Sequence, residues 1–195
     1  MTLTADDLDA AVDVLAAALS PAVDQDWSVR AGVMELDCWH VSEHLGDSLL
    51  SYAGQLAAQP DGRYVRFLAK ADDGASPAEV LEFAVAGGRI LAATIRSAQP
   101  DTRAYHPSGR ADREGFVGMG CVEILIHGED IANGLGRGLA PPIDLCERIL
   151  ARMFPHARED MAALDAWTAL RWYTGRLTLP DREPPARWRW RAEPP

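Results

Sequence analysis

The sequence predicts an all-α protein, an antiparallel four-helix bundle followed by extra C-terminal helices and a short tail. Three observations predict it. Four long stretches carry apolar residues at helical spacing, recognisable start and stop signals flank them, and little convincing strand lies between. With 195 residues and 48% hydrophobic content, one well-filled core plus an appendage is expected rather than two independent domains. The expected division is a helical body over residues 1–140 and an extension with a Trp/Arg tail over residues 141–195.

Leu3 to Leu19 reads as the first helix, opened by Thr4 ahead of Asp6 and Asp7, with Leu8, Val12, Leu15, Ala16 and Leu19 on one face and Pro21 as its stop. The second runs from Met34 to about Ala58 through Leu36, Val41, Leu45, Leu49, Tyr52 and Leu56, and Gln59-Pro60-Asp61-Gly62 ends it. Tyr64 to Ala69 fits either a short strand or a connector. Ser76-Pro77-Ala78-Glu79 is a strong helix start, with Pro at the first helical position and Glu at the third, and leads a third helix to about Ser97. Pro100 to Gly115 reads as a polar loop. Phe116 to about Leu135 is the fourth helix, closed by Gly134, Gly136 and Gly138 before Pro141-Pro142. Ile143 to Phe154 and Met161 to Leu177 read as two further helices. In Arg187-Trp188-Arg189-Trp190-Arg191 the alternation puts two Trp on one side and three Arg on the other, as a tail pinned to the body by its Trp residues would.

Charge narrows the function classes. Nineteen basic against 29 acidic residues give a formal charge of -10, which repels phosphate backbones and anionic membranes, so neither nucleic acid nor membrane is expected as a partner. Met1 to Asp7 shows no basic segment leading into an apolar one, and no apolar run approaches bilayer length, so a cytoplasmic location is expected. Cys38, Cys121 and Cys146 are odd in number, widely spaced and free of any CxxC pair, which suits reduced, buried thiols.

The sharpest chemical pattern is Glu123-Ile124-Leu125-Ile126-His127, where a four-residue gap stacks carboxylate and imidazole on one helix face. Two ligands one turn apart can share a metal. Val122, Leu125, Ile126 and Ile131 surround the pair, and burying an unpaired carboxylate among them would be expensive, whereas a metal ion would neutralise it. Asp130 lies on nearly the same face and can receive the free ring N–H of His127. On the second helix His40 and His44 are also one turn apart. His44 sits at the border of the apolar face beside Ser48 and Ser51, and His40 lies further out on the solvated flank. Asp37, Asp47 and Gln55 read as solvent-facing or pocket-rim groups, and His106 and His156 as surface residues. Two nitrogens and one carboxylate from facing helices leave a coordination position open, the arrangement of catalytic metal sites. No Gly-x-Ser-x-Gly, P-loop or dinucleotide glycine pattern competes.

At these residues the chain resembles the DinB-like superfamily, in particular the branch that includes the mycothiol-dependent maleylpyruvate isomerases. The resembling blocks are Asp26-Trp27-Ser28-Val29-Arg30-Ala31-Gly32, Leu36-Asp37-Cys38-Trp39-His40-Val41-Ser42-Glu43-His44-Leu45-Gly46-Asp47 and Glu123-Ile124-Leu125-Ile126-His127-Gly128-Glu129-Asp130-Ile131-Ala132. The family holds zinc with a His of its second helix and a Glu-x3-His pair on a later one, which by motif match fall on His44, Glu123 and His127. The resemblance spans about residues 5 to 140. It implies a DinB-like four-helix bundle, a divalent metal (Zn2+) near one end and a low-molecular-weight thiol as co-substrate. The Ala- and Arg-rich composition resembles that of high-GC actinobacterial proteins, where mycothiol would be that thiol. Two departures stand out: the isomerases carry a sizeable α/β domain after the bundle where only residues 143–195 follow Pro142 here, and Trp39 stands five positions before His44 instead of in their Trp-Thr-Val spacing.

The expected function is therefore a metal-dependent enzyme, an isomerase or S-transferase, activating mycothiol or water for transfer to a small electrophilic substrate. Asp130 would orient His127. Arg103, Arg110 and Arg113, ahead of the fourth helix, are candidates to bind an anionic substrate or the thiol cofactor, with solvated loop charge as the plainer reading. A homodimer is a candidate assembly. The alternative is a non-catalytic metal- or ligand-binding stress-response protein of the same fold, and a ferrous oxygenase using the same ligand set stands third.

Overall fold

A computed structural model of the chain describes residues 2–155, 164–180, 182, 183, 185, 189 and 191–193. It is mostly helical. Helix α1 spans Ala5–Leu19, opened by a capping box between Thr4 and Asp7. Helix α2 spans Cys38–Ala58 and starts four residues later than Met34, because Asp37 caps it by accepting from the His40 N–H, while Met34 lies in a turn closed onto Ala31. Helix α3 spans Pro77–Ser97 with a full Ser76/Glu79 capping box. Between α2 and α3 the segment at 64–69 is a connector without regular structure.

The stretch expected as loop before the fourth helix contains a small hairpin, β1 (Arg103–His106) paired antiparallel with β2 (Gly109–Asp112), Ala104 facing Ala111 and His106 facing Gly109. Its strands are too short and too polar to stand out in sequence, and only their buried members, Ala104, His106 and Ala111, show the alternation. Asp112 then caps α4 (Arg113–Gly134) by accepting from the Gly115 N–H at 2.7 Å. Helix α4 is buried on nearly every side, the mark of an interior helix. Helices α5 (Ile143–Met153) and α6 (Ala166–Tyr173) follow. His156 and Met161 to Ala163 lie outside the described residues, as do Arg187, Trp188 and Trp190 of the alternating tail. Near the chain end, the Arg191 N–H donates to the Met153 carbonyl, and Arg152 donates to the carbonyls of Arg191 and Ala192.

Four helices, α1 to α4, enclose a core in which Leu8, Leu15, Leu45, Leu49, Leu91, Met119 and Ile124 are all but inaccessible. Fully burying each such side chain is worth about 1.5–3 kcal/mol. Contacts along the helices fix their directions. Leu3, Leu8 and Leu15 of the N-terminal segment meet Gly118, Gly120 and Gly128, so α1 and α4 run together. Ser42 reaches Val80, and Gly87 packs on Gly46 and Leu49, so α2 and α3 also run together. Arg96 pairs with Asp6 while Arg89 pairs with Asp13, so α1 opposes α3. Cys38 lies against Gly134 and Tyr52 against Phe116, so α2 opposes α4.

Two parallel pairs set against each other differ from the strict antiparallel alternation expected. Short links force neighbours to reverse, but the segment 59–76 is long enough to return along the full length of α2, about 30 Å at 1.5 Å per residue. The parallel α2/α3 contact depends on small residues: a Cβ on Gly87 would lie 3.0 Å from the Gly46 carbonyl oxygen and 3.3 Å from the Leu49 Cβ. A Gly87→Leu substitution is therefore expected to lower stability by about 1–3 kcal/mol through overpacking, outweighing the gain of about 1 kcal/mol in helix propensity. Urea unfolding with an unchanged m-value and a lower midpoint would show it.

Candidate metal centre

Opposed α2 and α4 bring their polar positions face to face. His44 on α2 stands edge-on to His127 on α4, ring centroids 5.2 Å apart and planes at 86°. One turn earlier on α4, Glu123 places Oε2 3.2 Å from His127 Nε2. One ligand atom from each of His44, Glu123 and His127 falls within a sphere where all lie within 4.8 Å of one another. Glu123 and His127 side chains are each 12% exposed, whereas His44 is exposed, so the cluster opens to solvent on the α2 side.

The donor set fits a divalent ion. Around tetrahedral zinc with nitrogen and oxygen ligands at about 2.0–2.2 Å, ligand atoms sit roughly 3.3–3.6 Å apart. The Glu123–His127 pair, at 3.2 Å, is close to that spacing, and the exposed His44 ring stands edge-on to His127. No protein-family model, curated protein or solved structure matches the chain. The site is thus judged on its own geometry.

Tyr52 completes the site, and sequence periodicity alone had marked it only as a core residue. Its hydroxyl donates to Glu123 Oε1 at 3.0 Å, leaving Oε2 to face His127. Burial, followed by the charge of Glu123, holds the Tyr52 hydroxyl well above its ordinary pKa, so it stays a donor. Burial pushes Glu123 up, yet His127, Tyr52 and His44 outweigh it and hold the carboxylate below the usual range. Burial likewise pulls His127 down, but Asp130 and Glu123 prevail and raise it to about 9. An ion and a proton would therefore compete for Nε2.

Asp130, expected to orient His127, is 1% exposed and places Oδ2 3.3 Å from His127 Nδ1. Its other contact is Arg176, which grips both carboxylate oxygens. The three loop arginines are engaged elsewhere. Arg103 donates to the carbonyls of Pro100 and Thr102, Arg110 pairs with Asp61 at 3.2 Å, and Arg113 donates to the Ala98 carbonyl. Arg113 starts α4 about 15 Å of helix away from Glu123. His40 is exposed and bound to Asp37, and both line a cavity of about 540 Å³ with Trp27, Trp39, Glu43 and Lys70. None of the three clustered residues lines that cavity.

Two expectations of exposure are corrected. Gln55 is inaccessible, donating to the carbonyls of Arg63 and Tyr105 and accepting from the Val65 N–H, so it fastens the connector and the hairpin to α2. His106 is 7% exposed, packed edge-on against Tyr52 and Tyr64, with Nδ1 accepting from the Ser108 N–H at 3.0 Å. Both positions look solvated because their burial comes from the hairpin, which is remote in sequence from α2. Cys38, Cys121 and Cys146 are buried and unpaired, and burial pushes the Cys38 thiol up to about 11 and the Cys146 thiol up to about 12.

Burial lowers the pKa of His106 to about 4 from an unfolded value near 6.5, against a weak opposing pull from Glu123. Between these values the unfolded chain binds a proton that the folded one refuses, so stability falls as pH drops from about 6.5 to about 4 and levels off below. Acidification from pH 7 to pH 5 is expected to cost the wild type roughly 2 kcal/mol more than His106→Asn, whose amide oxygen can still accept from Ser108. Urea midpoints of chelator-treated protein at the two pH values test this, and equal losses in the two proteins would reject it.

Proposed function

We propose that the protein is a metal-dependent enzyme of the DinB-like four-helix-bundle type, in which His44, Glu123 and His127 hold a divalent ion, Zn2+ by the nature of the donors, and a low-molecular-weight thiol such as mycothiol, or water, adds to a small electrophilic substrate. The observation that carries this reading is the convergence of two imidazoles and one carboxylate from α2 and α4, with one flank open to solvent. The ion would lower the pKa of a thiol or water beside it and polarise a substrate carbonyl. The chain's own residues hold the geometry. Tyr52 donates to Glu123 and fixes which carboxylate oxygen faces inward. Asp130 lies where it can take the Nδ1–H of His127 once Nε2 is engaged. Tyr64, half-buried with its hydroxyl pushed up by burial and Glu123, walls the hairpin side with Tyr105. Thiolate is the better nucleophile near neutral pH, which favours a thiol co-substrate over water.

The helix set α1 to α4 supports the bundle, and three buried, unpaired thiols suit a reducing cytoplasm. No helix among the described residues is long and apolar enough to cross a membrane. A second reading, a metal-holding protein without turnover, draws support from the 540 Å³ cavity, which shares no lining residue with the cluster.

Glu123→Ala decides between the mechanisms. Loss of one of three protein ligands should weaken Zn2+ binding by more than about 100-fold, since changes to outer partners alone cost about 10 to 100-fold, and should abolish turnover. The bundle should remain folded by circular dichroism, because Ala removes a buried carboxylate that is costly without its ion. Wild type and variant would be assayed with mycothiol on a panel of small electrophiles including maleylpyruvate. Equal thiol-dependent rates would sink the metal-activated reading, and a zinc-loaded but inactive wild type would favour the second.

A further inference from the structure

The carboxylate of Asp130 is almost wholly enclosed, and two side chains approach it. Arg176 donates from Nε to Oδ1 at 3.2 Å and from Nη2 to Oδ2 at 2.8 Å. His127 Nδ1 stands 3.3 Å from Oδ2 and is buried without a hydrogen-bond partner of its own. An orphaned ring nitrogen beside a clamped carboxylate is one small rotation from a bond.

Arg176 is itself held. It follows Gly175, which turns the chain out of α6 at φ +77, and its N–H donates to the Arg171 carbonyl at 2.7 Å. Nη1 donates to the Thr174 carbonyl, Nη2 also touches Met34 Sδ at 3.5 Å, and the side chain is 11% exposed. The backbone of Gly32, at φ +47, comes so close to Asp130 that a Cβ there would lie 3.2 Å from its Cα and carbonyl oxygen. Asp130 is thereby fixed between the loop before α2 and the strand of chain after α6.

We propose that Arg176 is a positioning residue for the metal centre: its guanidinium fork sets the plane of the Asp130 carboxylate so that Oδ2 steers the His127 ring, with Nε2 turned towards Glu123 and His44. This rests on the metal reading of that cluster. A planar fork can hold both oxygens at once, which an ammonium cannot. The C-terminal extension thus reaches the site through one side chain. Arg171 provides a contrast, because it ties the same extension to α4 through Glu129 at 3.2 Å without touching Asp130.

The test is Zn2+ affinity of the full chain, measured by competition with a chromophoric chelator, alongside melting temperature. Arg176→Met is expected to weaken binding by about ten-fold or more, in the range of outer-partner changes. Arg176→Lys should melt closer to wild type yet stay weakened in affinity, since charge alone does not fix the carboxylate plane. Arg171→Met should melt lower with unchanged affinity. If Arg176 acts through Asp130, Asp130→Asn combined with Arg176→Met should bind no more weakly than Asp130→Asn alone. Wild-type affinity in folded Arg176→Met, or in Arg176→Lys if the Met variant does not fold, would overturn the inference, as would additive losses in the double variant. A wild type that takes up no Zn2+ would instead overturn the metal reading, and this inference with it.

Discussion

Charge buried on α4 is the constraint on which the rest of the molecule depends. Glu123, His127, Glu129 and Asp130 occupy about two turns of a helix that is enclosed on nearly every side. Leaving a buried charge without its partner costs about 3–5 kcal/mol, and while His127 stands between Glu123 and Asp130 of its own helix, each of the three carboxylates also has a neighbour from a distant part of the chain. Tyr52 comes from α2, Arg171 from α6 and Arg176 from the turn after it. The interior of this protein is organised by those demands as much as by its leucines.

The C-terminal extension follows the same logic. Arg148 pairs with the buried Asp7 of α1, Arg152 with Asp112 at the start of α4, Arg171 with Glu129 and Arg176 with Asp130. All four cations lie after Pro142 and all four carboxylates before it. Exposed ion pairs such as Arg96 with Asp6 contribute little, but these four are partly or fully shielded and carry directional hydrogen bonds. An extension anchored this way has a fixed orientation on the body, which a merely apolar contact would not impose.

Direction of the helices matters for the chemistry. Because α2 opposes α4, His44 meets His127 while Tyr52, about two turns further along α2, meets Glu123, one turn earlier on α4. The parallel α2/α3 pair leaves the connector at 64–69 and the hairpin to cover one flank, bringing Tyr64, Tyr105 and His106 near Glu123 while His44 stays open. The cluster thus has one aromatic flank, where electrostatic contacts are stronger, and one flank open to water.

Local signals in the sequence determined the helices and one half of the cluster. The Thr4/Asp7 and Ser76/Glu79 boxes, Pro77 and the stop at Gln59-Pro60 act within a few residues, so helix positions could be read directly, and the Glu123/His127 stacking follows from helical periodicity alone. His44 is legible through its motif context, whereas α2 starts at Cys38 and not at Met34 because Asp37 caps it. Tertiary structure decided the rest: the parallel course of α2 and α3, the burial of Gln55 and His106 beneath a hairpin of two short strands, the hydroxyl of Tyr52 on Glu123 and the fork of Arg176 on Asp130. The physical reason is range. Capping and periodicity are interactions between neighbours in the chain, whereas the partner of a buried charge is chosen by which remote segment packs against it.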